Sequence, residues 1–455
     1  MDTAFDAIVI GAGPAGEVAA GRLAERGRAV ALVERELVGG ECSYWACMPS
    51  KALLRPGELR AEVARVPGLR DVEELDAERV LRRRDEVVHE LDDAAQLPWL
   101  EQRGMRLLRG HGRLAGALRV AVEGPDGTVE HAAREAVIVA TGSSALLPPI
   151  PGLAEAQPWT NREATGSEQV PGELLVLGGG PVGVELAQAW STLGTRVTLV
   201  EAAERLLARE EPLASVQVAE GLQRHGVELR IGARAVAVAR DAAAGRTRVE
   251  LEGGEALAGE ALLVAIGRSP RTGDLGLETV GLTPGEPIAV DEALRAEDRP
   301  WLYAIGDVNG RALLTHMGKR QARVAADAIC GDPDARLGAL DGALAPRAIF
   351  TDPGVAAVGH TLASAREAGI AARAVDRETS GTAGASFHGR GAPGTTRFVL
   401  DAERELLVGA TFVGPEVAEL LHAATIAIAA QVPLATLARA VPAFPTRSEL
   451  WLDLR

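Results

Sequence analysis

The chain has 455 residues, 47% of them hydrophobic, and a formal net charge of −15 at pH 7. This length predicts about three domains of ~150 residues each, and the negative charge argues against nucleic acid as a main partner. We expect no membrane span because no apolar run is long enough, no secretory signal because Asp2 and Asp6 precede the first apolar run, and a reducing cytoplasm because a long chain has only three cysteines.

The first predicted unit is a strand, a glycine-rich turn, a helix and a second strand that ends on an acid. Residues 5–10 form the first strand, the helix runs from Glu17 to Arg26, and the second strand is residues 29–33. Glycines in such a turn let a pyrophosphate approach the start of the helix, and the acid can bond a ribose hydroxyl. We therefore predict a dinucleotide site, rather than a plain turn, at Gly11, Gly13, Pro14, Gly16 and Glu34.

The stretch 39–51 concentrates rare residues. Cys42 and Cys47 are two of three cysteines, and Lys51 and Lys319 are the chain's two lysines. A close cysteine pair favours a redox role over two small buried hydrophobes. Residues i and i+5 of a regular helix have Cα atoms ~8.6 Å apart, whereas a disulfide needs about 7 Å or less. We predict that a helix starts near Cys47, where a thiol has a lowered pKa, and excludes Cys42.

The first unit is then repeated. A strand over residues 135–140 enters Thr141 and Gly142, and the proline-rich run 147–152 is interpreted as a linker. The second copy has a strand over 174–177, a glycine turn over 178–183 and, after its helix, a strand over 196–200 that ends at Glu201. Both the glycines and the acids of the two copies are 167 residues apart, which predicts two dinucleotides.

The acid of the second copy bears on the choice of coenzyme. Glu201 favours a free ribose 2′-hydroxyl and therefore NADH. Arg205 and Arg209 follow closely and could instead hold the 2′-phosphate of NADPH. We expect NADH to be preferred.

The remaining chain has two parts. A strand over residues 301–308 reaches Asp307, whose carboxylate either binds a cofactor hydroxyl or caps the helix predicted over 318–329. Residues 346–455 have no glycine fingerprint. Strands at 348–351, 354–358, 396–400 and 407–412 and helices at 362–368 and 417–430 predict an α+β domain that packs or dimerises.

These motifs together resemble the pyridine nucleotide–disulfide oxidoreductases of the glutathione reductase and dihydrolipoamide dehydrogenase class, over essentially the full chain. The matching stretches are GAGPAG at 11–16, GGECSYWACMPSK at 39–51, ATGS at 140–143, GGGPVGVE at 178–185, AIGRSP at 265–270, YAIGD at 303–307 and FTDPGVAAVG at 350–359. The resemblance implies an FAD-dependent NAD(P)H oxidoreductase, active as a homodimer and without a metal site. It implies an α/β fold with an FAD-binding domain (1–150 and 275–340), a Rossmann-like NAD(P)-binding domain (151–274) and a C-terminal α+β dimerisation domain (341–455).

The resemblance also implies roles for single residues. Cys42 is the thiol that meets the substrate, and Cys47 is the thiol beside the flavin. Lys51 lies near flavin N5 and pairs with Glu185, and Asp307 binds the ribityl and pyrophosphate region. Further cofactor contacts are implied for Gly40, Glu41, His111, Thr141, Gly142, Gly178, Gly180, Val182, Gly183, Gly267, Arg268, Gly306 and Thr315.

The C-terminal segment departs from the family pattern His-Pro-Thr-x-Ser-Glu. In the family the histidine reaches the partner's site as acid–base, and the glutamate orients it. Here the histidine is replaced by Phe444, while Glu449 is retained. Phenylalanine cannot move a proton, and loss of an acid–base catalyst costs typically ~10²–10⁴-fold. Either another base serves (His388, His422 or Glu449), or the acceptor is not an ordinary disulfide.

Several functions therefore stay open. The protein is expected to pass electrons through a Cys42–Cys47 pair to a non-standard acceptor. The alternatives are a disulfide reductase with a relocated base, a flavin-level reductase of a quinone or enone, and a redox sensor that does not turn over. The ketopropyl-coenzyme M reductase/carboxylase of the same class also has Phe at this position but has His where this chain has Glu449. Mercuric reductase needs C-terminal cysteines, and none follows Cys330.

Tyr44 and Trp45 are bulkier than the residues usual between the two cysteines. They are interpreted either as walls of an unusual substrate pocket or as residues that pack against the dimer partner.

Overall fold

The computed structural model describes residues 4–70, 72–389, 391–392, 394–452 and 454. In these residues the α-helices are α1 (Pro14–Glu25), α2 (Gly40–Tyr44), α3 (Cys47–Arg65), α4 (Ala77–Val87), α5 (Leu97–Gln102), α6 (Asn161–Gly166), α7 (Pro181–Thr192), α8 (Pro212–Arg224), α9 (Thr315–Ile329), α10 (Leu362–Glu367), α11 (Leu421–Ala429) and α12 (Leu434–Leu437).

The strands of the same residues are β1 (Ala4–Ile10), β2 (Val30–Glu34), β3 (Arg106–Arg109), β4 (His111–Leu114), β5 (Arg119–Gly124), β6 (Gly127–Val139), β7 (Ser143–Ala145), β8 (Glu173–Leu177), β9 (Arg196–Glu201), β10 (Glu228–Ile231), β11 (Ala235–Asp241), β12 (Arg246–Leu251), β13 (Ala256–Gly259), β14 (Ala261–Val264), β15 (Arg268–Pro270), β16 (Arg295–Ala296), β17 (Arg299–Ala304), β18 (Arg347–Ile349), β19 (Gly354–Gly359), β20 (Ala372–Glu378), β21 (Thr395–Asp401) and β22 (Leu406–Gly414).

The chain forms two compact units, and the first contains Met1–Met48, Asp85–Ser144 and Arg268–Ala343. Its main sheet has the order β16-β17-β6-β1-β2-β3, and β5 joins β4 to β6. The strands β17, β6, β1, β2 and β3 run parallel to one another, whereas β16 and β5 pair antiparallel with β17 and β6. In β1, Ile8 and Val9 are fully buried although they point to opposite faces. A strand covered on both faces is typical of a parallel α/β sheet.

The second unit contains Pro49–Arg84, Ala145–Gly267 and Leu344–Arg455. A four-stranded parallel sheet has the order β10-β9-β8-β14, and a three-stranded antiparallel sheet has the order β11-β12-β13. The C-terminal part is an antiparallel sheet of order β18-β19-β22-β21-β20, with α11 in contact with β19 and β22. The predicted pair of parallel dinucleotide-type sheets and the predicted C-terminal α+β sheet are therefore confirmed.

The main differences from the predicted elements lie at polar segments. β6 begins at Gly127, eight residues before the predicted strand, because its exposed first half pairs antiparallel with β5. The three strands β11, β12 and β13 were not predicted, because residues such as Val238 in β11 are buried singly among exposed neighbours. The helix predicted over 417–430 is a 3₁₀ turn (Val417–Leu420) followed by α11.

Candidate active site

The two cysteines of the stretch 39–51 lie in different helices. Cys42 is in the five-residue helix α2, and α3 begins at Cys47. This confirms the prediction that no single regular helix contains both. Gly39 precedes α2 with φ 113°, and a Cβ there would lie 3.0 Å from the Tyr44 ring. The turn therefore requires glycine.

This stretch is fastened to the first glycine-rich turn. The backbone N–H of Gly39 donates to the carbonyl of Ala12 (2.8 Å), and that of Val38 donates to the carboxylate of Asp93 (2.7 Å). Tyr44 is buried, with 3% of its surface exposed, and its hydroxyl donates to the Val38 carbonyl (3.1 Å). Both interpretations of Tyr44, as a pocket wall and as a contact for the partner, are therefore wrong, because this side chain packs inside its own unit.

The two thiols interact with each other and with the first residue of α9. Cys47 Sγ lies 3.4 Å from the Thr315 hydroxyl. The pKa of Cys42 is raised, mainly because its thiol hydrogen-bonds to Cys47 and also because it is buried, and a hydrogen bond from Thr315 opposes this shift. Cys42 thus keeps its proton as long as it shares it with Cys47.

The two glycine-rich turns have the same geometry. A Cβ on Gly11 would lie 2.4 Å from the Ala140 carbonyl oxygen, and one on Gly178 would lie 2.5 Å from that of Ala265. A Cβ on Gly13 or on Gly180 would meet nothing within 4 Å. The first glycine thus allows the tight turn, while the second leaves room for a pyrophosphate at the start of the helix, as dinucleotide binding requires.

The acids that follow these turns are also placed alike. Glu34 accepts hydrogen bonds from the N–H groups of Ala12 and Glu36, both 2.7 Å long. Glu201 accepts them from Gly179 (2.5 Å) and Ala203 (2.6 Å). Each carboxylate is thereby held at the edge of its turn, where a ribose would lie.

Asp307 belongs to a charged cluster of the first unit. It lies in the 3₁₀ turn Gly306–Asn309 and accepts a hydrogen bond from the Ser143 hydroxyl (2.5 Å). Burial raises its pKa, and the Ser143 hydrogen bond and the nearby Arg268 oppose that shift. The residue that caps α9 is Leu314. The helix-cap interpretation of Asp307 is therefore wrong.

Other residues implied for FAD surround this cluster. Glu41 accepts a hydrogen bond from Arg271 (3.1 Å) and lies 3.6 Å from Arg268. The Thr141 hydroxyl donates to the Arg271 carbonyl (2.9 Å). His111 contacts a different residue, since its Nε2 atom lies 3.3 Å from the Asp274 carboxylate.

In the second unit Lys51 meets Glu185. Their Nζ and Oε2 atoms are 2.7 Å apart, and the other oxygen of Glu185 accepts the backbone N–H of Phe350 (2.9 Å). The ammonium also lies 4.8 Å from the centre of the Phe350 ring. This is the pair implied by the resemblance, and it fixes the ammonium between a carboxylate and an aromatic face.

The chain matches two family models. The model described as pyridine nucleotide-disulphide oxidoreductase covers residues 5–327, and the model of the dimerisation domain of the same family covers residues 345–455. The chain belongs to this family. It is an FAD-dependent NAD(P)H oxidoreductase and carries the family's dimerisation domain.

Relatives and solved structures agree with this assignment. A dihydrolipoyl dehydrogenase of Chlorobaculum tepidum is 32% identical over 98% of this chain and 95% of its own, and one of Thermus scotoductus is 34% identical over the same shares. The copper(II) complex of the HOCl-induced flavoprotein disulfide reductase RclA from Escherichia coli is 26% identical and superposes with a TM-score of 0.86 over 99% of this chain and 98% of that one.

The C-terminal segment of this family member lacks the expected histidine, and its retained glutamate has lost a partner. Phe444 is 77% exposed, and one carboxylate oxygen of Glu449 is buried without a hydrogen bond from any described residue. Of the histidines considered as substitutes, His388 lies 3.6 Å from Glu62 and 3.9 Å from Glu416, and His422 is exposed on α11.

Several residues that shape the site were not predicted. Gln321 accepts hydrogen bonds from the Gly306 N–H (2.7 Å) and the Asn309 side chain (2.9 Å), so it holds the turn that carries Asp307. Asp93 accepts a hydrogen bond from Val38, which is 55 residues away in sequence, and no local pattern reveals this contact. Phe350, by contrast, is the first residue of the matching stretch 350–359. Ser143 was within reach of sequence reasoning, because it belongs to the matching ATGS stretch.

Two features are absent from the residues that the structure describes. None of their helices is long and apolar enough to cross a membrane. No group of three or more of their His, Cys, Asp or Glu side chains is arranged to hold a metal ion.

Proposed function

We propose that this protein oxidises NADH and delivers two electrons through Cys47 and Cys42 to an acceptor that meets Cys42. The observation that carries the proposal is the placement of the two thiols: Cys42 lies in α2, Cys47 begins α3 and lies 3.4 Å from the Thr315 hydroxyl, and Cys47 raises the pKa of Cys42. The names of the relatives, dihydrolipoyl dehydrogenase and flavoprotein disulfide reductase, support a thiol–disulfide reaction.

The proposed roles follow the geometry. Bound FAD would supply the chemistry that carries two electrons from the nicotinamide to the cysteine pair. In the first unit, Gly11, Gly13, Glu34 and Asp307 would hold the FAD, since the turn leaves room for a pyrophosphate and both carboxylates could accept hydrogen bonds from ribose or ribityl hydroxyls. Lys51, fixed by Glu185, offers positive charge to the reduced ring.

We propose NADH as the preferred coenzyme. Glu201 presents a carboxylate that repels a 2′-phosphate and can accept from a free 2′-hydroxyl. Arg205 is already engaged, with hydrogen bonds to the Ser215 hydroxyl (2.6 Å) and to the carbonyls of Ala208 (2.6 Å) and Glu210 (3.0 Å). Of the two arginines considered for the phosphate, this leaves Arg209.

The assembly and the domains are also proposals. We propose a homodimer whose C-terminal segment reaches the partner's site, which suits the exposed Phe444. We keep residues 1–150 and 275–340 as the FAD-binding domain, 151–274 as the NAD(P)-binding domain and 341–455 as the interface domain. The small number of cysteines favours the cytoplasm, and this placement stays a prediction.

A second candidate acceptor is a quinone or conjugated enone reduced at the flavin. The observation that favours it is Phe444 together with the Glu449 oxygen that has no hydrogen bond from the described residues, because such a reduction needs no acid–base at the outer thiol.

Anaerobic titration of the holoenzyme with NADH tests the proposal. We expect a long-wavelength absorbance band after two electrons, because a Cys47 thiolate would then lie beside the flavin, and we expect Cys47→Ser to abolish it. Cys42→Ser should keep the band and lose acceptor turnover. If turnover survives Cys42→Ser, the second candidate is correct and the thiol route is wrong.

A further inference from the structure

Lys319, the second of the chain's two lysines, has no part in the function proposed so far. It lies four residues after Thr315 in α9, so both side chains are on one face of that helix. Thr315 is the residue that contacts Cys47 and hydrogen-bonds Cys42. The exposed Lys319 therefore lies one helical turn from Thr315, and its charge acts to lower the pKa of Cys42.

Glu17 approaches the same place from the first turn of α1. A Cβ on Gly318 would lie 3.3 Å from the Cβ of Ala15, so α1 and α9 touch where Glu17 and Lys319 are carried. A Cβ on Gly40 would lie 2.7 Å from the Gly13 Cα, so the start of α1 also touches α2, the helix of Cys42. The first turns of α1, α2 and α9 therefore pack together, and the same three helices carry Glu17, Cys42 and Lys319.

The carboxylate of Glu17 is partly buried and has no hydrogen bond or ion pair with any residue that the structure describes. Burial raises its pKa to about 7, Lys319 opposes this shift, and Glu34 adds to it. Glu17 also acts on Tyr44 in α2, whose pKa is raised chiefly by its own burial and further by the charges of Asp93 and Glu17. A group with such a pKa is present in both protonation states at neutral pH, which suits proton transfer.

We propose that Glu17, with Lys319 beside it, carries the proton that Cys42 exchanges with a disulfide acceptor. This rests on the proposed function and names its acceptor class. It also supplies the acid–base that Phe444 cannot, from a different part of the chain.

In this exchange the sulfur of Cys42 attacks first and that of Cys47 second. Ionised Glu17 takes the proton of Cys42 as the Cys42 sulfur attacks the acceptor, and the acceptor's S–S bond breaks. Glu17 returns that proton to the first leaving sulfur. The Cys47 thiolate then attacks the Cys42 sulfur, the mixed disulfide breaks, and the second leaving sulfur takes a proton that Glu17 has received from water. The acceptor gains two electrons and the cysteine pair becomes a disulfide.

The test compares two disulfides that differ in how much they need a proton. The NADH-reduced holoenzyme is reoxidised in a stopped-flow instrument by hydroxyethyl disulfide, an alkyl disulfide with a basic leaving thiolate, or by 5,5′-dithiobis(2-nitrobenzoate), whose aromatic thiolate leaves unprotonated. Glu17→Gln should slow the alkyl disulfide by ~10²-fold or more and leave the aromatic one nearly unchanged. Glu25→Gln, at the exposed end of the same helix, is the matched control.

A second readout needs no acceptor. In the reduced protein, the rate at which iodoacetamide modifies Cys42, followed by mass spectrometry, should show an inflection near the pKa of Glu17, about 7. Glu17→Gln should remove the inflection, and Glu17→Asp should keep one.

The possible results of these experiments distinguish the role of Glu17 from the proposed thiol–disulfide function. Equal slowing of both disulfides by Glu17→Gln, or an unchanged alkylation profile, would overturn the role of Glu17 alone. If the wild-type enzyme reduces neither disulfide after its flavin has been reduced, the proposed function fails and the inference fails with it.

Discussion

The two nucleotide-binding helices α1 and α7 each carry one carboxylate near their start, Glu17 and Glu185, and the surroundings of these carboxylates differ. Glu185 in α7 is 7% exposed, contacts Lys51 at 2.7 Å and accepts a backbone N–H as well. Glu17 in α1 has no such partners in the described residues, and Lys319 acts on its pKa through charge alone. The chain's two lysines thus face two carboxylates in different ways.

Carboxylates at neighbouring positions of the same motif can therefore serve two different tasks. A carboxylate with a cation and an N–H in contact stays charged and holds its partner in place. A carboxylate that is buried without contacts exchanges protons near neutral pH. In the repeat, Glu185 corresponds to Val18, and Glu17 to Val184, so the two carboxylates occupy positions that differ by one residue.

The largest expected effect is a rescue. Because Phe444→His restores the acid–base of the family pattern, it should recover most of the ~10²-fold loss that Glu17→Gln causes with an alkyl disulfide. Adding Glu449→Gln should weaken the rescue, because the buried oxygen of Glu449 is then no longer a carboxylate that orients the histidine. Steady-state NADH oxidation measures both, and an inert Phe444→His would show that the two positions do not share a task.

The next effect concerns stability against pH. The pKa of Glu17 is raised from 4.5 to about 7 on folding. Protonated Glu17 therefore favours the folded state, and this advantage is lost as pH rises from 4.5 through about 7. At 1.4 kcal/mol per pH unit, the loss approaches about 3 kcal/mol. The difference in unfolding free energy between wild type and Glu17→Gln, measured in urea, should shift by this amount. A pH-independent difference would contradict the raised pKa.

Replacing Lys51 and replacing Lys319 should change the stability of the protein by different amounts. Lys51→Met leaves Glu185 buried with only the Phe350 N–H, so we expect a loss of about 1–2 kcal/mol, reduced from the full buried-pair value because Lys51 is 36% exposed. Lys319→Met, at an exposed site, should change stability by less than about 0.5 kcal/mol. Lys51→Arg is the charge-preserving control. Equal losses of unfolding free energy in Lys51→Met and Lys319→Met, measured in urea, would contradict the difference between the two carboxylates.

The smallest expected effect concerns coenzyme choice. Glu201→Ala removes an acceptor of a ribose hydroxyl and a charge that repels phosphate, so the ratio of kcat/KM for NADH to that for NADPH should fall about tenfold. Arg209→Gln, at an exposed residue, should lower the NADPH value if this arginine holds the phosphate. An unchanged ratio in Glu201→Ala would place coenzyme selection elsewhere.

The structural features that depend on local geometry could be predicted from the sequence. Strand, glycine turn, helix and acid recur at fixed spacing, so both nucleotide units and the acids Glu34 and Glu201 were predictable. The five-residue spacing of Cys42 and Cys47 excluded one shared helix, because helix geometry keeps their Cα atoms too far apart for a disulfide. The loss of the C-terminal histidine was visible as a single changed letter at Phe444.

The contacts between side chains that are far apart in sequence could not be predicted, because they arise only from tertiary packing. Tyr44 packs inward because its hydroxyl reaches Val38, and Asp307 bonds Ser143 rather than capping α9. Glu17 and Lys319 are 302 residues apart, and the sequence alone gave no sign that they share an environment. Burial and the exact partners of a carboxylate set its pKa, and both arise only when α1, α2 and α9 are packed together.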